Sequence, residues 1–221
     1  MPSADPGTPQ PARPRPTGAR TRRGTRTRDA LVAAARRIFE RDGYLDARIV
    51  DIAAEAGVAT GSFYTHFASK EEVFAAVLAR LQDEMLHAGV SDGGDSDGDG
   101  DRKDLWRGVE DANRAYLESY RRNAALMAAM EQAAAVDPRF LRLRLERSRV
   151  FIDRSAAAIT RLQQSGLADP ELDPDITARA LSAMVSRLAY ATFALGESVP
   201  FDQLVETVNR LWTNALRIPR E

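Results

Sequence analysis

The twenty residues from Asp51 to Lys70, DIAAEAGVATGSFYTHFASK, constrain the fold of this 221-residue chain more than any other stretch. Ile52, Ala53 and Ala56 recur at helical spacing, Gly57 interrupts them, and a second short amphipathic run from Thr60 to Phe67 follows. That is the spacing of a helix-turn-helix, and its small residues let the helices cross closely. With Phe63 and Phe67 turned into a core, the ~100° per residue of a helix carries Gly61, Ser62 and Thr65 to the outward arc, flanked by Tyr64 and His66. Small hydrogen-bonding groups at the centre and larger polar ones at the edges suit a helix in a DNA major groove. Base edges are reached in the middle of such a face and phosphates at its sides.

The segment DIAAEAGVATGSFYTHFASKEEVF, preceded by IFERDGY, resembles the DNA-binding domain of the TetR family of bacterial transcriptional regulators. The resemblance spans roughly Leu31 to Leu78 and fixes positions over three helices. It implies that Arg48, Thr60, Gly61, Ser62, Tyr64, Thr65, His66 and Lys70 sit where the family touches DNA. Thr60, Gly61, Ser62 and Thr65 are candidates for base edges, with part of the reading by shape or water because short side chains make few bidentate contacts. Tyr64, His66, Arg48 and Lys70 are placed for phosphates, Lys70 adding its charge to the open amides of a helix N-terminus. The competing reading of Tyr64 and His66 is hydrogen bonding between helices. Arg48 and Ala59 depart from the family pattern, standing where Thr or Ser commonly caps the second and third helices, a loss of about 1 kcal/mol each. Val50 occupies a site that is polar in some relatives.

Around this unit the organisation follows from composition and periodicity. Residues 1–26 are rich in Pro, Arg, Thr and Gly, and read as a disordered basic arm, with seven arginines against Asp5 alone up to Arg28. The arm either adds phosphate or minor-groove contacts or only solubilises the chain. Residues 27–70 form the helix-turn-helix domain. Thr27 caps its first helix, Leu31, Ala34, Ala35, Ile38 and Phe39 make the buried stripe, and Gly43 ends it. Ser69 and Glu72 form a capping box for a linking helix that runs to about residue 88, with Val73, Phe74, Val77, Leu78 and Leu81 buried. Residues 89–104, GVSDGGDSDGDGDRKD, read as a Gly/Asp-rich flexible loop. Asp95, Asp97, Asp99 and Gly100 match the first half of an EF-hand loop, but Trp106 stands where a bidentate Glu is required and Arg102 where an apolar residue is usual.

From residue 105 to 221 every pattern is helical and no strand signature occurs, so the expected fold is all-α, with about nine helices: a three-helix helix-turn-helix domain and a larger helical ligand-binding and dimerisation domain. Apolar residues on more than one side of the last two helices call for a second copy, and the resemblance implies a homodimer through them. The candidate interface is Leu181, Val185, Leu188, Leu204, Val208, Leu211 and Trp212. The resemblance also implies an inducer pocket in this domain. Its candidates are Trp106, Val109, Asn113, Tyr116, Tyr120, Met127, Met130, Phe151, Met184, Leu188 and Phe193, an adaptable apolar lining with few polar anchors. Arg139, Arg142, Arg144, Arg147, Arg149 and Arg154 crowd one helix, either as a solvated face or with some meeting an anionic ligand such as an acyl-coenzyme A thioester.

The absence of cysteine excludes disulfides and thiolate chemistry, and two histidines argue against a histidine-rich metal site. No apolar run reaches the ~20 residues of a membrane span, so the expected location is the cytoplasm. No Ser/His/Asp set, paired carboxylates or phosphate-loop lysine supports an enzyme. The chain reads as a repressor needing no cofactor, whose partners are a palindromic double-stranded DNA operator, a second copy of itself and a small-molecule inducer, with no membrane. The alternative is a helical small-molecule binding protein whose basic arm associates with nucleic acid nonspecifically.

Overall fold

The structure, a computed structural model, describes residues 17–88 and 102–218, all of which lie in helices or their connections. In chain order these are α1 (Thr17–Asp46), α2 (Ile49–Glu55), α3 (Thr60–Phe63), α4 (Lys70–Ala88), α5 (Arg102–Arg122), α6 (Ala124–Val136), α7 (Pro138–Gln164), α8 (Pro174–Ala189) with a π-helical turn at Tyr190–Ala194, and α9 (Phe201–Leu216). The all-α expectation is met. Residues 1–16 of the arm and 89–101 of the Gly/Asp-rich loop, including the Asp95 to Gly100 run, lie outside the described residues.

α1 begins ten residues before the expected cap at Thr27. Once the stripe of Leu31, Ala34, Ala35, Ile38 and Phe39 is buried, extending the helix upstream adds a hydrogen bond per residue without a new nucleus. At the other end Gly43 breaks the regular path with φ 73°. Elsewhere the stops and starts follow local chemistry. Asp137 accepts from the Arg139 N–H at 2.8 Å ahead of Pro138, and Asp173 accepts from the Ile176 N–H at 2.8 Å ahead of Pro174. Proline suits the first helical position because its missing N–H would have no helical partner there.

A single core runs from the helix-turn-helix into the larger body. Phe39 and Phe74 pack at 4.5 Å between ring centroids, Tyr44 lies 4.9 Å from Phe74, and Phe140 of α7 meets both Tyr44 and Phe74 at just over 5 Å. The alanines of α6, Ala129 and Ala133, are fully buried and let that helix lie close along α1. Head and body are therefore packed together through α1, α4, α6 and α7.

Candidate nucleic-acid interface and ligand cavity

The reading head is built on two anchors and one turn. Phe63 and Phe67 are buried at 0% and 1% exposure, fixing the rotation of α3, and Phe67 N–H bonds to the Phe63 carbonyl so the helical path continues past the end of α3. Burying each ring contributes roughly 1.5–3 kcal/mol. Between α2 and α3, Gly57 adopts φ 68°, while Val58 N–H reaches the Ala53 carbonyl and Gly57 N–H the Ala54 carbonyl. This paired bonding stops α2 and sends the chain into α3 after three residues. Neither Arg48 nor Ala59 makes a side-chain cap bond, as their types imply.

The arrangement leaves Thr60, Gly61, Tyr64 and Thr65 exposed, with Ser62 and His66 partly so. Tyr64 is 56% exposed, its ring edge resting on Phe63. Among the described residues neither Tyr64 nor His66 has a side-chain hydrogen bond, so the inter-helix role weighed for them finds no contact. Arg48 is exposed and equally unpaired. Arg28 of α1 was not among the sequence candidates, yet its guanidinium sits 4.8 Å from the Phe67 ring, beside the end of the reading helix. The signal was available in the basic run before Leu31, but periodicity alone could not bring it onto α3.

Lys70 departs from its expected role. Its ammonium donates to the carbonyls of Tyr44, Ala47 and Leu45 at 2.8, 3.1 and 3.2 Å, and lies 4.7 Å from the Tyr44 ring centroid. All three of its donors are used in closing the end of α1, so it is not free for a phosphate. Half of the expected capping box at α4 forms, Ser69 accepting from Glu72 N–H at 3.3 Å, while the Glu72 carboxylate reaches one residue further back to accept from the Ala68 N–H at 2.6 Å.

The body holds a cavity of about 550 Å³ between α5, α6, α7 and α8, open to solvent on one side past the exposed Leu145, Arg179 and Arg187. Asn113, Tyr116, Tyr120, Met127, Met130 and Phe151 of the expected pocket line it. Trp106, Val109, Met184, Leu188 and Phe193 do not. α8 turns Arg179, Ser182 and Ser186 to the cavity, a face rotated away from Met184 and Leu188, and the Phe193 ring is taken up by Tyr120 and Phe201 at 6.4 and 6.3 Å. Burial and neighbouring charge raise the Tyr120 hydroxyl well above its usual range, with burial the larger cause. Glu131 was not singled out from the sequence, and it faces the same space as Arg144 and Arg147, two of the arginines offered there for an anionic ligand. Arg144, Arg147 and Phe151 follow at i, i+3 and i+7 on α7, a stripe the sequence offered but that the density of arginines obscured.

The expected dimer residues need the largest correction. Leu181, Val185, Leu204, Val208 and Trp212 are buried within one chain, where α9 presents its apolar stripe to its own body, and Trp212 and Val185 reach the cavity. Leu188 is half-buried and Leu211 is 40% exposed. The apolar surface left open on α8, the π-turn and α9 is instead Ile176 at 69%, Leu195 at 58% and Leu211.

Among the described residues no cluster of His, Cys, Asp or Glu is arranged to hold a metal ion, and no helix is long and apolar enough to cross a membrane.

Two family patterns match the chain: residues 31–77 match that described as "Bacterial regulatory proteins, tetR family", and residues 109–217 that described as "Transcriptional regulator EthR, C-terminal domain". The HTH-type transcriptional regulator EthR of Mycobacterium tuberculosis is 29% identical over 206 residues, covering 91% of this chain and 93% of that protein. A transcriptional regulator from Rhodococcus sp. Rha1 superposes with a TM-score of 0.70 at 26% identity, over 86% of this chain and 96% of the other. A TetR-family transcriptional regulator from Pectobacterium atrosepticum gives 0.64 at 26% identity, over 90% and 98%.

Proposed function

Because this chain belongs to the TetR family of bacterial transcriptional regulators and is a DNA-binding regulator of transcription, we propose that it acts in the cytoplasm as a homodimeric repressor of a palindromic operator, released by a small, largely apolar or acyl-type ligand. The observation that carries this reading is the coexistence of an exposed reading face on α3 with a cavity in the body to which it is packed. Each subunit lays α3 in a major groove, with Thr60, Gly61, Ser62 and Thr65 toward base edges and Arg48, Tyr64, His66 and Arg28 toward phosphates. The two heads lie about one helical turn (~34 Å) or somewhat more apart. Ile176, Leu195 and Leu211 supply the open apolar surface for the second copy.

A ligand in the cavity binds better to a conformation with the wrong head spacing, and differential affinity alone then lowers occupancy of the operator. The test is fluorescence anisotropy with DNA from upstream of the protein's own gene against random competitor. Specific binding that Thr65→Ala weakens supports the reading. Equal competition by random DNA favours instead a small-molecule binding protein that associates with nucleic acid nonspecifically.

A further inference from the structure

The cavity carries a polar deficit that the protein itself does not fill. Arg147 is only 7% exposed, yet among the described residues its sole hydrogen bond is from one guanidinium nitrogen to the Leu78 carbonyl at 2.6 Å. A guanidinium has five N–H donors in a fixed fork, and Arg147 lines the cavity, so its remaining donors are available to a group bound there. No carboxylate among the described residues pairs with it, and the Coulombic pull of Asp83 does not offset its desolvation, which draws it down to about 10. Two more donors are stranded at the same cavity: the buried Nε of Arg144 and Nε1 of Trp212 have no partner. Native proteins rarely leave buried donors unmet, because each costs about 1–3 kcal/mol and more when charged.

The missing group must accept several hydrogen bonds in one plane and bring negative charge. Glu131 already pairs with Arg144 at 3.2 Å, so among the described residues Arg147 is the buried cation of the lining without an acidic partner, and the exposed Arg154, Arg179 and Arg187 add positive charge at its edges. A carboxylate answers the fork of a guanidinium bidentately. An apolar body suits Tyr116, Tyr120, Met127, Met130 and Phe151, which form the apolar part of a lining that also carries serines and arginines of α7 and α8. The volume, about 550 Å³, falls in the range of pockets that enclose small organic ligands.

The same guanidinium is tied to α4, the helix that links the reading head to the body. Leu78 is a fully buried residue of α4, eight residues after Lys70, or about 12 Å along the helix from the reading head. We propose that the cavity binds an amphipathic carboxylate, its head on Arg147 and Arg144 and its tail along Tyr116, Tyr120 and Phe151, and that capture of the head withdraws Arg147 from the Leu78 carbonyl and loosens α4. The ligand class deepens the repressor reading given above, and the coupling rests on it. A neutral apolar ligand fills the tail but leaves the Arg147 to Leu78 bond intact.

Three probes separate head from tail on the full-length protein by isothermal titration: myristate, 1-tetradecanol and acetate. Wild type should bind myristate at least tenfold tighter than 1-tetradecanol and show no acetate binding below millimolar concentration. Arg147→Met should bind 1-tetradecanol as wild type does while losing the preference for myristate, which also certifies that the variant is folded. Hydrogen exchange should speed up in α4 around residues 78–85 with myristate and not with 1-tetradecanol. Equal affinity of wild type for myristate and 1-tetradecanol overturns the ligand class, as does a preference that survives Arg147→Met. Myristate binding with unchanged α4 exchange overturns the coupling. Failure of the protein to bind DNA specifically, with the ligand discrimination intact, overturns the repressor reading and leaves the carboxylate site standing.

Discussion

The ammonium of Lys70 closes the end of α1 over Tyr44, donating to its carbonyl at 2.8 Å while lying 4.7 Å from its ring centroid. A cation beside the last carbonyls of a helix meets the negative end of its dipole, and this one also bridges α1 to the start of α4. Lys70→Met should therefore lower stability by about 1–2 kcal/mol, a discounted share of the 1.5–3 kcal/mol of charged hydrogen bonds because the side chain is half-exposed. Thermal melts read the loss. A phosphate contact would instead reduce the slope of log affinity against log salt by about 1, and that slope should stay unchanged in operator titrations of the variant.

Gly43 places the head against the body. At φ 73° it takes a conformation that side chains resist, and a Cβ there would stand 2.6 Å from Oε1 of Gln132 on α6. The same Gln132 oxygen accepts the Tyr44 N–H at 2.9 Å. Gly43→Ala should cost roughly 1–2 kcal/mol for the backbone and about 1 kcal/mol more as the Gln132 amide swings away from the Tyr44 N–H. In a Gln132→Ala background the collision is gone, so the added cost should shrink to the backbone part. Denaturant midpoints of the four proteins in this cycle decide it, and additive effects would contradict the contact.

How much of this was legible beforehand depends on what decides each position. Phe63, Phe67 and the stripe of α1 are set by local periodicity, and Asp137 with Pro138 by local capping chemistry, so they were readable without coordinates. Lys70, Leu181 and Trp212 were assigned to partners outside the chain, yet their contacts lie inside it. Periodicity says that a face is apolar or that a charge stands near a helix end. It does not say which other helix arrives there. Arg147 was not singled out for the same reason, since one buried arginine among six others on α7 has no distinguishing pattern until α4 and α8 are placed beside it.

The reading face can be altered without disturbing the fold. A Cβ on Gly61 meets nothing within 4 Å, and Thr65 is exposed with only a long 3.4 Å bond from its hydroxyl to the Gly61 carbonyl. Gly61→Ala and Thr65→Ala should each leave stability within about 0.5 kcal/mol, the usual range for surface changes. Each should nonetheless weaken specific DNA binding by about 1–3 kcal/mol in anisotropy titrations if DNA comes as close to this face as proposed.

Self-association should depend on the open surface and not on the buried stripe once assigned to it. Ile176→Asp with Leu211→Asp places charge on two accessible sites, and should convert a dimer to monomer by sedimentation velocity with the circular dichroism of a folded helical protein retained. Leu204→Asp buries a charge in the protomer itself and should unfold it, a loss of helicity and not a clean change of mass.

The start of α7 makes the fold sensitive to acid. The Asp137 carboxylate is held below its ordinary value of 3.8 by the Arg139 side chain first and the Arg139 N–H second. A carboxylate with a lowered folded-state value binds protons more weakly folded than unfolded, so it stabilises the fold above the unfolded value and loses that contribution as pH falls through the folded one. Asp137→Ala should therefore melt below wild type at neutral pH, and the difference should close as pH falls below about 4. Asp137→Asn keeps an acceptor for the cap but not the charge. Its melting temperature should lie between the two at pH 7, and its gap to Asp137→Ala should hardly change with pH.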